Sequence, residues 1–379
     1  MTMRAVPLKF SSDPDVSATL PGRYYFDPAV YEQEREAIWF KTWQLVGYRF
    51  DLVHPGDYIT ADVLDQKILV CRAKDGRLRA FYNVCMHRGH TLLEGRGRRQ
   101  LITCPFHAWT YDLAGNLKAA GNAENVAGFD GADFALAEVQ VETLANMVFV
   151  NLDRDAPPLT SLAPGFEEDL YRTIPDLDRL TLARRDDYNI KSNWKFVFDA
   201  LECYHCPVIH PEAARAIDFT RRELAETGIW QKHRTPIGSA ARTGNEDLGR
   251  AYRVEANDPQ NASNIWYLWP NLVFAAHWGR GNFKVLRAVP SGVETTYQYV
   301  DNFSASIPPT AEDIAGMDRF RDVAQAQDIR AMEQQQLGVR ARGYRQGRLM
   351  VDHQHSWRSE HPTHHFQRMV WEALNGPNY

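Results

Sequence analysis

Hydrophobic periodicity changes twice along the chain, and each change marks an element boundary. Residues 28 to 44 carry Trp39, Phe40 and Trp43 on or near one face and read as a helix. Its start is well marked, with Asp27 as N-cap and Pro28 at the first helical position. From Leu45 to about Leu152 the pattern shortens to β-branched and aromatic runs: Lys67–Cys71, Leu78–Tyr82 and Met147–Val150. Turn residues such as Lys74-Asp75-Gly76 and Ala114-Gly115-Asn116 separate these runs, as expected of a small all-β domain. Asp153 to Pro158 is polar, ends in Pro157-Pro158, and reads as a linker. Beyond it the pattern is mixed. Helices are predicted over Leu201–Ile209, Arg215–Glu226 and Ala311–Arg340. Strands are predicted at Ile265–Leu268, Leu272–Ala276, Phe283–Ala288 and Thr295–Asn302. Helices and strands without strict alternation predict an α+β domain on an antiparallel sheet.

Composition narrows the class. A chain of 379 residues exceeds one ordinary core, so two domains are expected. A net charge of −5 argues against a nucleic-acid partner. No apolar run approaches a membrane span, and residues 1–22 lack an apolar signal core, so a cytoplasmic protein with a loose N-terminal arm is expected. Five cysteines (Cys71, Cys85, Cys104, Cys203 and Cys206) suggest no disulfide framework. Cys203-Tyr-His-Cys206 has redox-dithiol spacing but no surrounding thioredoxin pattern, so packed, reduced thiols are expected there.

The strongest chemical signal is Cys85-Met-His87, sixteen residues, then Cys104-Pro-Phe-His107. Each motif offers one thiol and one imidazole. A Rieske [2Fe–2S] centre needs that set, with two Cys on one iron and two His on the other. Structural zinc also takes two Cys and two His, but it usually separates paired Cys by two to four residues. The single residue between Cys85 and His87 fits zinc poorly.

A second constellation runs from Asn193-Trp-Lys195 through Glu202-Cys-Tyr-His205 to His210-Pro211. His205 and His210 would sit about 140° apart on a regular helix and could not share an ion. Pro207 is expected to break or kink the helix and let them converge. Two His and one carboxylate form the common non-haem iron(II) oxygen site. Glu202 is one candidate for the carboxylate, and a distant Asp, with Asp328 best situated, is the better one. Packing or surface roles for the two His remain the alternative. The electron-transfer motif upstream favours a metal, since a donor needs an acceptor.

With these motifs, and with Leu268-Trp-Pro-Asn271 and the stretch Gln327-Asp328 to Gly343-Tyr-Arg-Gln-Gly347, the chain resembles the large (oxygenase, alpha) subunit of the Rieske non-haem iron oxygenases from about residue 24 to 375. The resemblance implies Cys85, His87, Cys104 and His107 as ligands of the [2Fe–2S] cluster. It implies His205, His210 and Asp328 as ligands of a mononuclear Fe(II). It makes Glu202 the acidic residue that bridges electron flow between a neighbouring subunit's cluster and this chain's iron. It further implies a homotrimer, a separate NAD(P)H-dependent reductase, and a helix-grip catalytic domain. The domains would then be residues 1–44 (arm and helix packing on the catalytic domain), 45–155 (Rieske) and 156–379 (catalytic).

Glu202 followed by Cys-Tyr-His-Cys looks most like the branch that oxidises quaternary ammonium compounds. The expected reaction is O2-dependent hydroxylation and loss of an N-methyl group from a betaine or carnitine. Trp230, Trp266, Tyr267, Trp269 and Trp278 offer material for an aromatic cage around such a cation, or they simply pack in the core. Ring hydroxylation of an arene is the second reading, and a non-catalytic Rieske or zinc-binding protein the third. Relatives usually have Glu-Asn where this chain has Phe198-Asp199; Asp199 is expected to cap local backbone rather than hold a cation. Arg96-Gly-Arg-Arg99 is expected to be a solvated loop rather than a reductase dock. The histidines at 353, 355, 361, 364 and 365 are expected to pack or face solvent.

Overall fold

The computed structural model describes residues 9–202, 204–211, 217–237, 261–279 and 281–377. The chain divides into two compact units: Trp39–Leu162, and Met1–Ile38 with Ala163–Tyr379.

The first unit is all β. Its strands are β1 (Gln44–Tyr48), β2 (Asp57–Val63), β3 (Gln66–Arg72), β4 (Leu78–Tyr82), β5 (Arg96–Arg98), β6 (Ile102–Thr103), β7 (Thr110–Tyr111), β8 (Leu117–Ala119), β9 (Glu138–Leu144) and β10 (Met147–Asn151). Seven form a sheet in the order β1-β10-β9-β4-β3-β2-β5, and β6-β7-β8 form a small second sheet. One core gathers Leu69, Phe81, Cys85, Cys104, Trp109 and Tyr111, so the two motif cysteines are rooted in packed apolar side chains. The basic stretch is an exposed strand rather than a loop: Arg96 pairs with Asp51 at 2.9 Å and Arg98 with Asp57 at 2.6 Å.

The second unit holds β11 (Thr181–Ile190), β12 (Glu223–Thr227), β13 (Trp230–Pro236), β14 (Ala262–Leu268), β15 (Leu272–Ala276), β16 (Asn282–Gly292) and β17 (Thr295–Ser304). They form one antiparallel sheet in the order β11-β17-β16-β15-β14-β13-β12. The predicted α+β class therefore holds. Two predicted helices differ. The helix expected over Arg215–Glu226 begins outside the described residues and ends in the edge strand β12, which pairs with β13; the open sheet edge overrides the helix propensity of Glu-Leu-Ala-Glu. The N-terminal helix is α-helical only over Pro28–Glu34, capped by the Asp27 carboxylate on the Ala29 N–H, and continues as a π turn to Trp39.

The segment Ala311–Val339 is helical throughout but not uniform. α-Helix runs over Ala311–Arg319 and Ala326–Val339, joined by a π-helical stretch, Phe320–Gln325. A capping box between Thr310 and Asp313 starts it. The C-terminal helix, His361–Asn375, contacts the short turns at 196–202, as does Ala326–Val339. Its histidines pack as expected: His364 meets the Ser11 carbonyl at 2.8 Å and His365 the Gly228 carbonyl at 3.1 Å.

A buried ion pair ties the first helix to the segment leading into Glu202 and His205. Lys195 and Glu34 are both fully buried and bonded, and Glu34 also accepts from Trp194 Nε1 at 2.8 Å. Burial raises the Glu34 pKa and lowers that of Lys195, each opposed by the partner's charge.

Candidate functional site

Two matched loops carry the first set of residues. The Cys85 N–H bonds the His90 carbonyl, and the Gly89 N–H bonds the Cys85 carbonyl; Cys104 repeats this with Trp109 and Ala108. The fourth residue after each cysteine has left-handed backbone, Gly89 at φ +73° and Ala108 at φ +56°. Glycine adopts this freely, whereas alanine does so at some cost. The turns leave both thiols buried, each 2% exposed, and both imidazoles exposed at the loop tips. His87 and His107 lie edge to face, 4.8 Å between ring centres, and His87 stacks on Trp109. The Tyr111 hydroxyl accepts from the Met86 N–H and lies 3.4 Å from Cys85 Sγ. Hydrogen bonds to a ligand sulfur tune a cluster's potential. Among the described residues, the only group of three or more His, Cys or carboxylate side chains close enough to share a single ion lies in the other unit. Two thiols below two imidazoles suit a two-iron cluster better than one zinc ion.

That other group is His205, His210 and Asp328, whose donor atoms all lie within 4.8 Å of one another. The convergence differs in detail from the expected kinked helix. A short α-turn over Phe196–Asp199 passes into a 3-10 turn, Ala200–Glu202; a new helix covers only Cys206–Ile209. Pro207 opens this second helix rather than kinking the first, as its missing N–H allows. Cys203 lies outside the described residues. The two rings end 5.8 Å apart.

Each imidazole is held through Nδ1. His205 Nδ1 lies 2.7 Å from Glu202 Oε1, and His210 Nδ1 lies 2.7 Å from Gln327 Oε1. Both partner atoms are oxygens; with the proton on Nδ1 facing them, each Nε2 lone pair is left available to a metal. His210 Nε2 lies 2.8 Å from Asp328 Oδ1 and His205 Nε2 lies 4.0 Å from it. Two lone-pair atoms 2.8 Å apart need a positive charge between them. Burial works against a protonated His210, but the Asp328 hydrogen bond and charge outweigh it and raise its pKa. A metal ion answers the same requirement, and two His with one carboxylate fit iron(II). Glu202 is thus a neighbour of the triad rather than part of it. Its second oxygen, Oε2, is buried without a partner among the described residues.

The triad opens onto a cavity of about 140 Å³, lined by His205 and Asp328 together with side chains from β13 to β17 and the Ala311–Val339 helix. None of Trp230, Trp266, Tyr267, Trp269 and Trp278 lines it. They are core instead: Trp266 Nε1 bonds Asp169 at 2.7 Å, Trp230 Nε1 the Pro164 carbonyl at 3.0 Å, and the Tyr267 hydroxyl the Pro270 carbonyl at 2.9 Å. The described wall has one hydrocarbon ring, Phe320, which already lies 5.4 Å from the Lys284 ammonium. Burial, with Lys284 nearby, pushes His277 down to about 3, so that wall imidazole is neutral.

Among the described residues, Asp199 bonds side chains rather than capping backbone. It accepts from the Tyr25 hydroxyl at 2.6 Å and Gln367 Nε2 at 2.9 Å, and burial pushes it up to about 6.

Sequence reasoning missed Gln327, Arg222 and Gln298. Gln327 adjoins Asp328, yet only the folded helix shows that both reach His210. Arg222 holds the Leu201 and Glu202 carbonyls and His233, and it fell in a stretch read as helix. Gln298 is fully buried on β17, lines the cavity, and has neither amide atom partnered among the described residues. Each such atom costs about 1–3 kcal/mol.

Comparison with known proteins decides the family. Residues 42–130 match the Rieske [2Fe-2S] domain, and residues 177–376 match the ring hydroxylating alpha subunit (catalytic domain). The chain belongs to the Rieske non-haem iron oxygenases, as a large (alpha) subunit. It is 34% identical to the carnitine monooxygenase oxygenase subunit of Escherichia coli (strain K12), over 97% of both chains. The quaternary ammonium Rieske monooxygenase CntA with L-carnitine superposes at a TM-score of 0.85 and 33% identity, covering 98% of this chain and 99% of that one. A further structure of a quaternary ammonium Rieske monooxygenase, described as giving insight into carnitine oxidation and inter-subunit electron transfer, matches at 0.85 and 32% over the same shares. This Rieske oxygenase is an oxidoreductase whose cofactors are a [2Fe–2S] cluster and a mononuclear iron. No helix among its described residues is long and apolar enough to cross a membrane.

Proposed function

We propose that this Rieske oxygenase hydroxylates an N-methyl group of a small quaternary ammonium compound, which then leaves as formaldehyde. The observation that carries the reading is the His205–His210–Asp328 triad opening onto a cavity with largely uncharged walls. Similarity to carnitine-oxidising relatives over nearly the whole chain supports the substrate class. When bound, the cluster supplies single electrons and the iron supplies O2 activation.

The residues divide that work. Cys85 and Cys104 would hold one cluster iron, His87 and His107 the other. His205, His210 and Asp328 would hold the mononuclear iron. Glu202 and Gln327 orient the two imidazoles and fix their tautomers. The unpartnered Glu202 Oε2 suits a hydrogen bond from a cluster histidine of a neighbouring subunit, so Glu202 would join electron donor to acceptor across a homotrimer interface. The aliphatic part of the wall would offer the reacting methyl group an apolar surface. A separate NAD(P)H-dependent reductase would supply electrons, in the cytoplasm.

One observation favours a second reading, ring hydroxylation: the described wall holds no cage of aromatic rings. The test is single turnover by the reduced, iron-loaded protein offered carnitine, glycine betaine, proline betaine and benzoate. Formaldehyde from one of the cations is expected. Ring-hydroxylated product with no formaldehyde would transfer the assignment to the second reading.

A further inference from the structure

The cavity has a polar residue that the chemistry at the triad leaves unused. Gln298 stands on β17 between Ala288 of β16 and Tyr188 of β11, with no solvent exposure. Gln298 is among the residues that line the cavity, and neither its amide nitrogen nor its amide oxygen has a partner among the described residues. Much of the wall around the same space is aliphatic: Val197, Leu201, Ile265, Val273, Leu286 and Met332. An apolar side chain of similar size would be as stable here or more so, because an unmet buried amide is a net cost. A ligand that meets the amide would account for its presence.

A quaternary ammonium head does not meet it. Its nitrogen carries four carbons, so it neither donates an N–H nor offers a lone pair. The amide N–H needs an acceptor oxygen, and the amide oxygen needs a donor. A carboxylate satisfies the first need, and a hydroxyl satisfies both. We propose that Gln298 is a specificity-determining residue that holds an oxygen substituent of the substrate, selecting oxygen-bearing quaternary ammonium compounds over plain tetraalkylammonium ions. This rests on the quaternary-ammonium reading above and names the part of the molecule that reading leaves open.

The test is calorimetric binding to the holoenzyme, containing cluster and iron, of four probes. These are carnitine (hydroxyl and carboxylate), γ-butyrobetaine (carboxylate), choline (hydroxyl) and butyltrimethylammonium (neither). In Gln298→Met, affinity for oxygen-bearing probes should fall about 10- to 100-fold. Butyltrimethylammonium should bind as before, and the melting temperature should hold or rise. Gln298→Glu keeps the volume and adds a negative charge; it should reject the two carboxylate probes most strongly. Whether choline or γ-butyrobetaine loses more in Gln298→Met identifies the oxygen. Equal loss for all four probes, or loss for none, overturns the assignment while leaving the substrate class intact. A wild-type enzyme that binds none of the four overturns both.

Discussion

The two metal-binding regions of this chain solve the same problem at opposite sequence ranges. The residues proposed to hold the cluster fall within 85–107, on two loops that repeat one hydrogen-bond pattern. The residues proposed to hold the mononuclear iron come from positions 205, 210 and 328, and converge only because the chain folds a sheet and a long helix around them. The first set is shaped by its own turns. The second is shaped by partners elsewhere: Glu202, Gln327, Arg222 and the buried Glu34–Lys195 pair. A local site should therefore fail when its own residues change, and a dispersed site should also fail when its supports do.

The sharpest test separates the two metals. Cys104→Ser should abolish the cluster's visible absorption and all turnover while leaving mononuclear iron bound. Asp328→Ala should do the reverse, with turnover equally lost and the cluster spectrum unchanged. Iron analysis beside absorption spectra checks both, and loss of both metals in either variant would mean that the two sites are coupled.

Breaking the distant support comes next. Lys195→Met leaves Glu34 buried and unpaired and should destabilise the catalytic unit by about 3–5 kcal/mol. Adding Glu34→Leu should recover much of that loss. Denaturant titration followed by tryptophan fluorescence measures both, and a single substitution as harmless as the double would show that the pair bears no load.

A smaller effect is expected one shell out from the iron. Gln327→Leu removes the oxygen that orients His210 and should weaken iron affinity about 10- to 100-fold. Equilibrium metal competition reads it, with the cluster content as the internal control.

The smallest effects are in pH dependence, and they carry opposite signs. His277 titrates near 3 in the folded protein against an ordinary 6.5. The unfolded chain therefore binds more protons between those values, so this group's stabilisation is lost as pH falls through that window. Asp199 titrates near 6, above its ordinary 3.9, so the folded chain binds more protons and stability is lost as pH rises through that window. Each contributes a slope of at most about 1.4 kcal/mol per pH unit. His277→Gln should flatten the acid-side loss and Asp199→Asn should steepen it, in urea midpoints taken from pH 4 to 7.

The contrast also explains what the sequence made legible. Cys85-Met-His87 and Cys104-Pro-Phe-His107 are readable because spacing alone sets their geometry. Strands β4 and β15 were readable because their apolar runs are bounded by turns. Glu223–Thr227 was not, because a free sheet edge chose its conformation against local propensity. The five aromatic residues could be read as cage material or as core, and the structure takes the second reading; side-chain type alone does not reveal which way a core strand faces. Gln298 was invisible because a lone polar residue in a strand has no pattern until its neighbours are known.

The π-helical stretch at Phe320–Gln325 bears on how this family can be aligned. A π turn closes i to i+5 where an α turn closes i to i+4, so it absorbs one extra residue within an otherwise regular helix. Phe320 and Gln325, at its two ends, both line the cavity. A relative one residue shorter here would return to plain α-helix and still present an aspartate at the position of Asp328. Its cavity wall would differ by a deletion that identity scores barely register. Chain length across these six positions would therefore reshape the cavity wall at Phe320 and Gln325 while leaving an aspartate at position 328.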